Sequence, residues 1–162
     1  MANYEGYLVQ ATVTTTYRTA GQLAAAGRRA MVYEIEFGQN GALATTDCQV
    51  QWDVSRTAST AALVGAGGAV AVNLLDQGDV TASTLFYPNL TTESTAITTA
   101  GLGLNLKNWS INQRGSYRWR ALDDGDNLII ASTASQGLAV RMLTVASGFA
   151  GTAVGNISFV ER

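Results

Sequence analysis

The sequence predicts an all-β protein, an antiparallel β-sandwich that is jelly-roll-like with about eight strands; a β-barrel of up-and-down type is the alternative. Three observations carry this. Apolar residues recur at every second position in segments rich in β-branched and aromatic side chains. Clusters of Gly, Asn, Asp and Ser interrupt those segments at short intervals. Hardly any stretch has the apolar spacing of a helix, and the absence of a tandem repeat speaks against propellers and β-helices. A chain of 162 residues is long enough to bury a core without metals or disulfides, so residues 1–162 are read as a single sandwich domain with a long irregular connection near 58–100.

The elements follow in order. Gly6 to Thr15 reads as a strand, and residues 20–29, "AGQLAAAGRR", as a helical turn limited by Gly27. In "AMVYEIEFGQNG" one face carries Met31, Tyr33, Ile35 and Phe37 and the other Glu34 and Glu36, before a turn at Gly38 to Gly41. In "CQVQWDV" Cys48, Val50, Trp52 and Val54 oppose Gln49, Gln51 and Asp53, and the two runs together read as a hairpin with an irregular loop. The connection holds short strands near Ser83 to Tyr87 and Thr95 to Thr99 and a helical turn near Leu74 to Gln77. Strands are then expected at Leu102 to Ile111, Gly115 to Ala121, Leu128 to Ala131, Gly137 to Val145 and Thr152 to Val160. In the last of these Gly155 is the expected site of a bulge.

The residue types that are missing limit the chemistry. With no histidine and a single cysteine, Cys48, the chain builds no Ser-His-Asp or Cys-His arrangement, no thiolate zinc site and no internal disulfide. Cys48 reads as a small core residue. The cluster "DDGDN" resembles half of a calcium loop, but Asp-Gly between alternating runs is a turn signal, so Asp123 to Asp126 read as a hairpin tip and no metal is assigned. The loop "VGAGGAV" matches neither dinucleotide nor P-loop spacing, and no cofactor is assigned. Trp52, Tyr117 and Trp119 read as core rather than as a sugar platform. A formal net charge of −2 argues against a nucleic-acid partner. No stretch is apolar enough to span a bilayer and no secretory signal pattern is present, so no membrane partner is expected and the chain reads as soluble and cytosol-made. Arg114, Arg118 and Arg120 form a small basic patch, read as salt-bridged or as contacts between chains.

Four segments, "RRAMVYEIEFGQNG", "VQWDVSRTAST", "INQRGSYRWRA" and "GLAVRMLTVASGFAGTAVGNISFVE", resemble a family of small structural proteins of tailed-bacteriophage virions, the head decoration or cement proteins. The resemblance covers the two ends of the chain; where the family carries proline-rich text in its middle connection, this chain has "NLLDQGD" and "TTESTAITT". It implies a sandwich or jelly roll that assembles as a homotrimer on the capsid surface of the virion, against the major capsid protein, and it carries over no catalytic residue.

The expected function is therefore non-enzymatic: capsid decoration, with Tyr4 and Tyr7 of the N-terminal "MANYEGY" and Arg114, Arg118 and Arg120 at subunit or capsid contacts. A receptor- or carbohydrate-binding module of a phage fibre or tail is the alternative. A carboxylate hydrolase using Glu34, Glu36 or Asp123 to Asp126 ranks last.

Overall fold

The computed structural model describes residues 2–11, 13–24, 26–41, 46–57, 68–90, 105–123, 125–132, 136–144, 149 and 151–162. Within these, every regular element is a strand: β1 (Asn3–Gln10), β2 (Arg18–Ala24), β3 (Ala30–Asn40), β4 (Gln49–Thr57), β5 (Asn73–Leu74), β6 (Leu85–Pro88), β7 (Asn105–Asn112), β8 (Tyr117–Arg120), β9 (Leu128–Ile130), β10 (Gly137–Thr144) and β11 (Thr152–Glu161). They form two antiparallel sheets. One runs β5-β1-β11-β3-β8 with β9 also on β3; the other runs β6-β2-β10-β4-β7. Strands β1, β2, β3 and β4 alternate between the sheets, and β10 and β11 return between them, which is the winding of a double-sheet jelly roll. Among the described residues the two sheets do not close into a barrel.

The core lies between the sheets, where Phe37 stacks on Trp52 with ring centroids 4.4 Å apart and Tyr4 stacks on Phe159 at 5.4 Å. The β3–β4 hairpin read from the sequence is corrected here. β3 pairs with β11, β8 and β9, whereas β4 pairs with β10 and β7. The alternation was right for Ile35 and Phe37 and for Val50, Trp52 and Val54, whose faces meet across the interior instead of lying side by side, but an extra residue at Tyr33 turns Met31 and Tyr33 away from that face and puts Val32 in the core.

The helical turn expected over 20–29 is also corrected. Residues 18–24 form a strand between β10 and β6, almost wholly buried, so pairing on both edges overrides the helix preference of alanine. Gly21 lets Leu8 and Phe86 pack closely against β2: a Cβ would lie 2.5 Å from Leu8 Cδ2 and 2.8 Å from Phe86 Cζ, so those side chains would have to shift. Near Leu74 the chain makes a strand pair with Tyr4 and then a turn in which the Gly78 N–H donates to Asp76 Oδ1 at 2.9 Å. The expected strand at Thr95 to Thr99 lies outside the described residues.

The expected bulge at Gly155 is displaced. Gly155 pairs in register with both Leu8 and Phe37; the ladder slips between Ser158 and Phe159, where Tyr33 of β3 is the extra residue. Gly155 instead allows close approach, since a Cβ would collide with the Glu36 carbonyl oxygen.

Residues 121–127 are not a hairpin tip. β8 and β9 both run antiparallel to β3 along the same edge, so they are two halves of one interrupted strand and the acidic loop is an excursion from it. The turn chemistry holds nonetheless: the Gly125 N–H donates to Asp123 Oδ1 at 2.7 Å, and the Asp126 N–H to the Asp123 carbonyl at 3.2 Å. Asp124 lies outside the described residues.

Candidate functional site

The outer face of the first sheet is a grid set by strand register. One row reads Asn3, Val160, Met31, Ile129; the next Glu5, Ser158, Glu34, Arg120; the third Tyr7, Asn156, Glu36, Arg118; the fourth Val9, Val154, Gly38. Residues between these rows face the core, as the period of two requires, except Tyr33, the extra residue of β3, which stays on the outer side.

The residues singled out in the sequence separate on this grid. Tyr4 is a correction: it is fully buried against Phe159, with its hydroxyl donating to the Val80 carbonyl at 2.9 Å, so its side chain belongs to the core and not to the surface. Tyr7 is 52% exposed. Arg118 and Arg120 are on the outer face, both directed at Glu34, at 2.8 and 3.8 Å. Arg114, in the turn after β7, pairs with Asp47 at 2.9 Å. All three guanidiniums thus have a carboxylate partner. The hydrogen bond from Arg114, helped by Gln113, holds the Asp47 carboxyl below its ordinary range, and Glu34 raises the affinity of Arg118 for its proton.

Two depressions indent this face. The first, about 620 Å³, brings Tyr7 and Arg114 together with Glu36, Asn40 and Asn156. Its floor is low because Gly38 and Gly115 have no side chains and Gly155 holds the strands close. Its far wall is fixed by the 113–116 turn: the Gln113 amide donates to the Thr46 carbonyl at 3.0 Å, and the Arg114 N–H to Asn112 Oδ1 at 2.9 Å. Gln39 also lines it, with both amide atoms buried and unpartnered. The second depression, about 470 Å³, lies between the β5 turn and the 121–127 loop and is lined by Met31, Tyr33, Leu75, Arg120, Asp123 and Val160.

Three polar features escaped the sequence reading. On the opposite sheet, Asp53 and Arg141 form a buried two-pronged pair, Nε to Oδ1 and Nη2 to Oδ2 at 2.7 Å each, with the Ser55 hydroxyl donating to Asp53 at 3.0 Å. The Arg141 guanidinium sits 4.4 Å from the Tyr17 ring centre, and burial followed by the Asp53 charge pushes the Tyr17 phenol up. At the end of β11, Glu161 accepts the N–H groups of Thr84 and Ser83 at 2.6 and 3.1 Å and the Ser83 hydroxyl at 3.1 Å. Burial alone would raise its pKa, but these hydrogen bonds outweigh it and hold the carboxyl below its ordinary value. The third is a hydrogen bond: the thiol of Cys48, a residue buried as read, donates to Gln113 Oε1 at 3.3 Å. Among the described residues no three His, Cys, Asp or Glu side chains group as metal ligands.

No protein-family model matches this chain, and neither a curated protein nor a solved structure matches it. The class that its topology defines is an antiparallel β-sandwich of jelly-roll winding.

Proposed function

We propose that the chain is a non-enzymatic structural protein of a tailed-bacteriophage virion, a decoration or cement protein that trimerises on the capsid surface and strengthens the shell against the major capsid protein. The observation that supports this reading most is a rigid all-strand frame that leaves large apolar side chains in solvent: Tyr7 and Leu75 on or beside the outer grid, and Leu122, 92% exposed, at the head of the 121–127 loop. We read these exposed apolar groups as contacts that are covered on assembly. Jelly rolls serve viral capsid and lectin domains alike, so the fold itself enters as an analogy. Weak contacts per chain add up when linked copies dock together.

Mass spectrometry and electron microscopy of purified particles, with native mass spectrometry of the isolated chain, test the proposal. The expected results are this chain on the head surface and a species of three times the chain mass. Particles that lack the chain, or a strictly monomeric chain at micromolar concentration, refute it. The alternative, a carbohydrate-binding module of a fibre or tail, is favoured by one observation: the half-exposed Tyr7 ring stands over an amide-lined depression.

A further inference from the structure

We infer that the Tyr7 depression is a binding site for a neutral saccharide. The inference deepens the carbohydrate-binding alternative and does not need the decoration reading.

The ligand class follows from the groups that line the site. Tyr7 and Asn156 are direct cross-strand neighbours, so a flat aromatic face and an amide stand side by side on one surface. A sugar ring presents an apolar C–H face and a rim of hydroxyls, and an exposed tyrosine provides the matching apolar platform with a polar tip. Each hydroxyl both donates and accepts, and so does each carboxamide; Asn156 and Asn40 offer both functions to one ligand.

Charge argues for neutrality. Arg114 is already paired with Asp47, and Glu36 has Arg118 as its cross-strand neighbour, so the depression favours neither anion nor cation. Glu36 is the one carboxylate among the described lining residues, and glycoside cleavage needs two flanking the bond, so the site is read as binding without turnover. The 113–116 wall is held by its own hydrogen bonds before any ligand arrives, which lowers the ordering cost of binding.

The test is an amide ¹H–¹⁵N NMR titration of the intact chain with glucose, galactose, mannose and N-acetylglucosamine, followed by their oligosaccharides on an array. At least one sugar is expected to give saturable shifts confined to residues near 7, 36–41, 113–116 and 154–156, with Kd on the order of 1 mM for a single ring. Tyr7→Ala is expected to weaken that binding tenfold or more, Asn40→Ala to weaken it measurably, and Leu122→Ala to leave it unchanged. All three altered side chains sit at the surface, and an unchanged amide spectrum elsewhere shows that the variants fold. Three results overturn the inference: no sugar in the set perturbs the depression, Tyr7→Ala binds as the parent does, or the depression responds to an uncharged Ser/Asn-rich peptide and to no sugar. The presence of the chain on particles is read separately, so loss of the saccharide site leaves the decoration proposal standing, and the reverse.

Discussion

At the scale of single residues, Asp53 and Arg141 show the largest mismatch between sequence pattern and environment. Each sits at a position that alternation assigns to the outer face of a sheet, yet Asp53 is fully buried and Arg141 nearly so. A pair of charges removed from water is tolerated because the guanidinium meets both carboxylate oxygens and Ser55 adds a third contact. Removing one partner leaves the other charged and buried. Arg141→Met alone is therefore expected to cost about 3–5 kcal/mol in urea unfolding. Adding Asp53→Leu to it should recover much of that loss; single effects that simply add would show that the two charges are not coupled. The pair was not read from the sequence because an arginine within "GLAVRMLT" and an aspartate within "QVQWDV" are adjacent only through the β4–β10 register.

At the scale of elements, Glu161 ties the end of β11 to the start of β6. Its carboxylate gathers the Ser83 and Thr84 N–H groups, which anchors the far part of the long connection to the first sheet. Because its pKa is lowered on folding, the unfolded chain binds the proton more tightly, so this contribution is complete above the ordinary glutamate value of 4.5 and is lost as pH falls through the depressed folded value. Hydrogen exchange at Ser83 and Thr84 is expected to accelerate in that acid window before the core strands open, and Glu161→Gln should flatten the pH dependence. Equal acceleration in all strands would argue against a local tether. The strands themselves were legible where one face is buried, as in Met31 to Phe37 and Cys48 to Val54. Strand β2 was not, because both its faces are covered and its residues are small, so no alternation remains to be seen. Alternation also cannot tell a hairpin partner from a strand facing it across the core, which is why β3 and β4 were paired wrongly.

At the scale of the whole molecule, the jelly-roll class was legible from turn spacing and strand count, while the candidate site was legible only in part. Tyr7, Asn156, Glu36 and Arg118 form one row although four distant segments supply them, and only the register of β1, β11, β3 and β8 brings them together. Arg118 and Arg120 were correctly placed on the outer face because their neighbour Trp119 faces inward at the sheet edge, where Lys107 Nζ lies 5.5 Å from its ring centre. Asn156 was missed because only the β1–β11 register sets it beside Tyr7.

The interrupted strand β8–β9 has a consequence for how this protein can be altered. Since β3 holds both halves in line, the length of chain between them is not fixed by any strand pairing, and doubling a flexible loop costs only about 0.6 kcal/mol. A peptide tag of eight residues inserted between Leu122 and Asp123 is expected to leave the melting temperature within a few degrees of the parent, whereas the same insertion between Gly38 and Gln39 should prevent folding. The 121–127 segment is thus a ready port for display, where foreign sequence would be carried outward on the same face as the Tyr7 row without disturbing the register beneath it.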